Sequence, residues 1–443
     1  MGAGKSKVTV DTLNAAGHKL VLMIGLHASM IEGLWEKQFA VHSPHHWTII
    51  NLKDGTSTDK AEFLKNVLSV RGQERVLVVT NYESAWRKEL GALILKTKWD
   101  CVVLDEAHHI SHPGTKISKF CTNFARKNRS RHRIALTGSP MASSPLGVYS
   151  IFKFLDPTVF GTNYSKFMAK YAIMGGFNNH QVIGYRNLDY LRAEIGANSV
   201  YVDSDDVLDL PPVMHLDKRF DLEKEARRVY NALQRDMVAR LQSGETMTMN
   251  NALTKMLRLQ QVTGGYFQPD GMDITRISTA KQDALIEVLQ DIPRVIVPGK
   301  DRFTHAPTVV FARYTEELAD IRAAATKLGY RTGEVSGQVK DLAAWNDESI
   351  DLIAVQTRAG SESIDLSRAR YGIYYSKEQS LGLYDQSMAR LHRPGQKHPI
   401  TFIHLLARAT IDVHIDRALA AKADVVGYVL SVFKDPNLTQ TEA

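Results

Sequence analysis

The sequence predicts an α/β protein built of two parallel-sheet domains joined by a helical segment, and three observations carry that reading. Between residues 19 and 137, five short apolar runs alternate with helical patterns: KLVLMI (19–24), WTIINL (47–52), RVLVVT (75–80), WDCVVLD (99–105) and RIALT (133–137). Between residues 307 and 406 the rhythm recurs in PTVVFA (307–312), IDLIAVQT (350–357), YGIYYS (371–376) and PITFIHLL (399–406). Between the two series, residues 221–260 place apolar side chains at helical spacing with dense charge around them, the pattern of a helical insertion.

Runs of four to seven apolar residues with little polar alternation are what strands covered by helices on both faces require, so each series reads as a doubly wound parallel sheet. From about 145 to 200 the rhythm gives way to aromatic-rich helix and a hairpin in GGFNNHQVIGY (175–185), whose Asn pair suits a tight turn. The acidic stretch VDSDDVLDLPP, closed by Pro211 and Pro212, reads as the exit from the first domain. The expected organisation is a first lobe over 1–205 with its insertion at 145–200, a linker and helical insertion over 206–277, a second lobe over 278–430 and a tail over 431–443.

At 443 residues and 44% hydrophobic content the chain has ample apolar surface for two cores, which excludes a disordered or fibrous protein. Two cysteines, Cys101 and Cys121, exclude a disulfide framework. No apolar run reaches the roughly 18 residues of a membrane span, and Lys5, Lys7, Asp11 and Lys19 interrupt what a signal peptide needs apolar. A soluble, cytoplasmic chain with no membrane partner is therefore expected. The net charge of +7 favours polyanionic partners without demanding them. His42, His45 and His46, and His108, His109 and His112, lack the cysteine pairs or further ligands of a zinc site and read as loop and motif side chains. The aromatics of 149–185 read first as packing groups, with base stacking the rarer use.

Residues 1–6, MGAGKS, admit two readings. They match the distal half of a phosphate-binding loop, in which Gly2 and Gly4 let backbone N–H groups approach phosphate, Lys5 neutralises the outer phosphates and Ser6 ligates Mg²⁺. They equally match a myristoylation pattern. The run CVVLDEAH (101–108) is an apolar strand ending in two carboxylates, of which Asp105 suits a metal's water shell and Glu106 an attacking water.

On these residues the chain resembles the SWI/SNF-like branch of the superfamily-two DEAH-box helicases, the ATP-driven double-stranded DNA translocases. HISHPGTKISKF (109–120) is similar to that branch's helix after Walker B, and RIALTGSPMASSPLGVYSIFKFLDP (133–157) to its third motif. QTRAGSESIDLSRA (356–369) resembles the fifth motif, and QSMARLHRPGQ (386–396) reproduces the sixth. GLHASMIEGLWEKQF (25–39), VTNYES (79–84) and TVVFARYTEELADI (308–321) resemble the DNA-contacting and fourth motifs. The chain departs from the branch at Gly25, Ser111, Ala142 and Ser143.

The resemblance implies two RecA-like lobes that hold ATP and Mg²⁺ between them and contact double-stranded DNA through phosphates, independently of sequence, with a monomer favoured. It implies Gly2, Gly4, Lys5, Ser6, Asp105, Gly360, Asp365 and Gln386 at the nucleotide, with Ser6 and Asp105 on the metal. It further implies Glu106, Arg390 and Arg393 as catalytic groups, Thr137, Gly138, Ser139 and His108 as coupling residues, and Ser29 at a DNA phosphate, with Trp35 read as core. It selects the phosphate-loop reading of residues 1–6. Because such a loop begins further upstream and follows a buried strand, the chain is expected to start within it, to lack the first strand of lobe one with its neighbour left unpaired, and to bind ATP less tightly than an upstream-extended form. The alternatives are a strand-separating helicase of the same superfamily and a non-hydrolysing nucleic-acid-binding remnant.

Overall fold

The chain divides into two units, Met1–Val207 and Leu208–Ala443. A computed structural model describes residues 4–26, 28–127, 132–138, 140–141, 144–175, 181–202, 208–242, 249–268, 273–296, 303–360, 364–421 and 425–434. Gly2, Ser139, the Asn pair of the 175–185 turn, the side chain of Ser29 and residues 435–443 lie outside what it describes.

The first unit carries β1 (Leu20–Gly25), β2 (Thr48–Asn51), β3 (Val76–Asn81), β4 (Cys101–Leu104) and β5 (His132–Ala135), all parallel in the order β2-β3-β1-β4-β5. Alternate residues enter two separate cores. Leu20, Leu22, Ile24, Val78, Val102 and Leu104 face one, and Val21, Met23, Leu77, Val79, Cys101 and Val103 face the other. Burial on both faces is the reason these runs lack polar alternation. Among the described residues β5 pairs on one side only, and it is correspondingly less buried than β1 or β4.

Beyond this sheet, helices Val148–Leu155, Tyr164–Tyr171 and Leu188–Ala197 pack with an antiparallel hairpin of β6 (Ala172–Gly175) and β7 (Gln181–Tyr185). The aromatics here serve packing: the Phe167 and Tyr171 rings lie 4.8 Å apart and those of Tyr149 and Phe167 5.1 Å apart.

The second unit contains β8 (Val213–Phe220), the short antiparallel pairs β9 (Tyr266–Phe267) with β10 (Thr275–Arg276) and β11 (Arg294–Ile296) with β12 (Phe303–His305), then β13 (Thr308–Ala312), β14 (Thr332–Val335), β15 (Leu352–Gln356), β16 (Tyr371–Tyr374) and β17 (Ile400–Ala407). Its main sheet is parallel, in the order β14-β15-β13-β16-β17-β8. The segment 206–277, expected as linker and helical insertion, belongs from Leu208 onward to this unit. It supplies the edge strand β8 and the helices Lys224–Gln242 and Met249–Thr263. Thr263 of this segment donates 2.9 Å to the buried Asp412, whose other oxygen lies 3.0 Å from Lys281 Nζ. Residues 431–434 of the expected tail continue the helix Val425–Lys434.

His404 on β17 is buried, and its Nε2 lies 3.1 Å from His215 Nδ1 on β8. Burial, reinforced by the neighbouring Lys377 ammonium and His215, pushes its pKa down to about 2. The unfolded chain takes up this proton below about pH 6.5 whereas the folded chain stays neutral, so stability falls as pH drops. The loss from this group approaches about 1.4 kcal/mol per pH unit. His404→Phe keeps a ring in place and is expected to flatten the dependence of the urea midpoint on pH between 6.5 and 5. Equal slopes in the two proteins would refute the assignment.

Candidate active site

The site of the first unit forms where parallel strands end together. Asp105 continues β4 by donating its amide to the Ile24 carbonyl at 2.8 Å, and the Leu136 amide bonds the Leu104 carbonyl at 2.8 Å. The next amide, Ala107, returns 2.8 Å to the Leu136 carbonyl. Between these fixed points Glu106 takes the left-handed conformation, φ 50° and ψ 53°. For a residue with a Cβ this costs about 1–3 kcal/mol and persists only where neighbours over-determine it. It turns the chain abruptly from strand into the short helix Ala107–Ile110 and leaves the Glu106 side chain at the strand ends.

Lys5 opens the helix Lys5–Ala15 behind Gly4, whose φ of +85° suits glycine and around which a Cβ would meet nothing within 4 Å. No side chain caps this helix, so its first-turn N–H groups and positive dipole end are available to an anion. Lys5 Nζ lies 3.7 Å from Glu106 Oε1, with side-chain exposures of 32% and 20%. A half-exposed pair of this length is worth about 0–1 kcal/mol, so phosphate can displace it cheaply. Glu106 Oε2 is 3.3 Å from His108 Nδ1, and that nitrogen is 3.4 Å from Thr137 Oγ1. Lys5, Glu106, His108 and Thr137 thus form one continuous polar chain across the strand ends, with Ser6 half-buried beside Lys5 and Gly138 exposed next to Thr137.

Burial and then the Glu106 charge push the Asp105 carboxyl above its ordinary range, while Lys5, the Glu106 amide and the Trp35 indole pull it back. A carboxylate held so uncomfortably gains from a cation. The hard oxygens of Ser6 and Asp105 fit Mg²⁺, which takes few protein ligands and completes its shell with water and phosphate oxygens. Among the described residues no group of three or more His, Cys, Asp or Glu side chains could hold a metal by itself.

In the second unit the fifth- and sixth-motif residues are knitted to each other. Arg390 lies in the helix Leu381–Leu391, and its carbonyl accepts from the Leu366 amide at 3.1 Å. Arg393, just beyond the helix, donates to the Ile364 carbonyl at 3.4 Å. Gln386 is half-buried on the same helix, and Gly360 ends the short helix Thr357–Gly360. Asp365 is exposed and accepts from the Ser367 amide at 3.0 Å, shaping the loop. Gln396 is buried and braces the turn, donating 2.8 Å to the Ala369 carbonyl and accepting from the amides of Lys397 and His398.

Three buried residues near these groups are not among the predicted site residues. Tyr82 donates its hydroxyl to the Asp105 carbonyl. Trp35, read as core, is fully buried in the first unit. Glu378 is buried and takes Arg313 at 2.9 Å and Arg358 at 3.3 Å, tying the fourth and fifth motifs together. The clue available for Glu378 was a carboxylate directly after an apolar strand, in YYSKE.

Residues 10–264 match the SNF2-related domain, more than half of the chain. The chain belongs to the SNF2-related family. In this SNF2-related protein, residues 281–395 further match the helicase conserved C-terminal domain. The first range holds Asp105, Glu106, His108 and Thr137, the second holds Arg390 and Arg393, and residues 1–6 precede both. The chain is 23% identical to the CHD3-type chromatin-remodeling factor PICKLE of Arabidopsis thaliana, matching 92% of this chain and 30% of that protein. It is 24% identical to the human DNA excision repair protein ERCC-6, over 91% of this chain and 28% of the relative. The SNF2-related chain therefore spans less than a third of either relative's length. A SWI2/SNF2 ATPase core from Sulfolobus solfataricus, solved with dsDNA, aligns over 99% of this chain and 87% of that one at 21% identity and a TM-score of 0.40. Among the described residues no helix of the SNF2-related chain is long and apolar enough to cross a membrane.

Proposed function

We propose that this chain is an ATP- and Mg²⁺-dependent motor that couples hydrolysis to movement along double-stranded DNA. The observation that carries the reading is the polar chain of Lys5, Glu106, His108 and Thr137 beside the buried Asp105, within or adjoining the range matched by the SNF2-related domain. Gly2, Gly4 and Lys5 cradle the phosphates, with the helix N-terminus behind them. Ser6 and Asp105 hold Mg²⁺, which when bound neutralises charge on the phosphate oxygens. Glu106 orients the attacking water and accepts its proton. His108, Thr137, Gly138 and Ser139 transmit the occupancy of the site, and Ser29 contacts a DNA phosphate. From the second unit, Gly360, Asp365 and Gln386 contact the nucleotide, and Arg390 and Arg393 offset charge on the departing phosphoryl group.

Contacts to phosphate carry no base information, so binding is sequence-independent and salt-sensitive, log affinity falling by about 0.9 per neutralised phosphate per log unit of salt. The test is ATP turnover with and without duplex DNA of unrelated sequences across a salt series. Acceleration by every duplex, fading as salt rises, is expected. Turnover that ignores DNA would sink the motor reading.

A further inference from the structure

The turn at 79–84 leaves β3 and enters a single helical turn, Tyr82–Ala85, which Asn81 caps by accepting from the Ser84 amide at 2.7 Å. Ser84 Oγ accepts from Lys60 Nζ at 3.0 Å, and Lys60 is buried with no carboxylate partner among the described residues. Lys60 thus ties down Ser84, two residues along the turn from Tyr82.

Tyr82 is 3% exposed, too buried to touch nucleotide or metal. Its ring stacks on the His109 imidazole, with centroids 5.6 Å apart and planes 18° from parallel. Its hydroxyl donates 2.9 Å to the carbonyl oxygen of Asp105. That carbonyl belongs to the peptide unit whose amide is Glu106's, and the amide is held in turn by Asp105 Oδ1 at 3.0 Å. If this peptide is released, φ of Glu106 can relax from the left-handed region, and that change, uncompensated by the chain around it, would move the Glu106 side chain. Glu106 already sits at a φ of 50°, where it relaxes unless something restrains it. The phenol hydroxyl is such a restraint, and it comes from the 79–84 turn.

We infer that Tyr82 is a positioning residue through which the 79–84 turn holds the Asp105–Glu106 peptide and with it the aim of Glu106. The effect on turnover rests on the motor reading above; the restraint on the peptide does not.

Tyr82→Phe in the full chain tests this, since the ring, its burial and its stack on His109 are retained. Amide hydrogen exchange at Glu106 and Ala107 is expected to quicken about tenfold while Val102 and Val103 exchange as before. In steady-state assays the DNA-stimulated kcat is expected to fall about 10- to 100-fold, with KM for ATP within about twofold of the parent. Unchanged exchange at Glu106 and Ala107 would overturn the inference, as would a Tyr82→Phe protein with the parent's kcat and DNA stimulation. A parent chain without DNA-stimulated turnover would overturn the motor reading instead, and the exchange measurement would still decide for or against Tyr82.

Discussion

A Glu106→Gln chain is expected to hold ATP at least as tightly as the parent and to turn it over about 10²- to 10⁴-fold more slowly. The side chain is of equal length and the left-handed backbone at φ 50° is unaffected by the change, so the turn into Ala107–Ile110 persists. What disappears is the charge. Lys5 Nζ, 3.7 Å from Glu106 Oε1, loses its counter-ion and is freer to meet phosphate, which holds or improves nucleotide affinity. His108, 3.3 Å from the other oxygen, loses its charged neighbour. The amide has no basicity with which to take a proton from water, so the chemical step alone suffers. A titration with a fluorescent ATP analogue, paired with single-turnover hydrolysis, separates the two effects. Weakened binding with unchanged turnover per bound ATP would contradict the role given to Glu106.

The strands that the sequence reveals are those buried on both faces. β1, β3, β4, β13, β15, β16 and β17 each stand between neighbours, and their runs are predominantly apolar. β8 is absent from the sequence reading because an edge strand pairs on one side and mixes apolar with charged residues, here VMHLDKRF with Met214 and Leu216 exposed. β14, the opposite edge, is four residues long and includes Gly333 and Glu334. Without an apolar run to mark β8, residues 213–220 read as linker, whereas the strand pairs with β17 in the second unit.

The site divides in the same way. Asp105, Glu106, His108 and Lys5 announce themselves because their chemistry requires those residue types at the end of a strand or the head of a helix. Their supports do not. Tyr82 is one tyrosine among sixteen, with nothing beside it in the chain to mark a support, and only the tertiary structure brings its hydroxyl to the Asp105 carbonyl. The left-handed backbone at Glu106 is equally silent, since nothing in a glutamate's neighbours along the chain signals a positive φ. Sequence reports what a residue can do, whereas which group restrains it is decided by contacts between positions 23 residues or more apart, as between Tyr82 and Asp105.

Arg393→Ala is expected to abolish the acceleration of ATP turnover by DNA while leaving the protein folded. The structural stake of the side chain is small: it is half-buried, and the bond from its guanidinium to the Ile364 carbonyl is 3.4 Å, at the long end for N–H···O. Losing such a bond costs about 1 kcal/mol or less. The helix end and loop around it stay braced by Gln396 and by the Leu366 amide on the Arg390 carbonyl, neither of which involves the Arg393 side chain. A guanidinium delivered to a phosphoryl group in flight is worth far more, about 10³- to 10⁵-fold in rate. The mismatch between these magnitudes makes the substitution decisive: a stable protein with unstimulated turnover identifies transition-state charge as the role. Arg393→Lys sharpens the result, since lysine keeps the charge without the planar fork and is expected to recover little of the stimulation. Full DNA stimulation in the alanine protein would remove Arg393 from the catalytic set, leaving Arg390, held within the helix Leu381–Leu391, as the sixth-motif arginine to carry the charge.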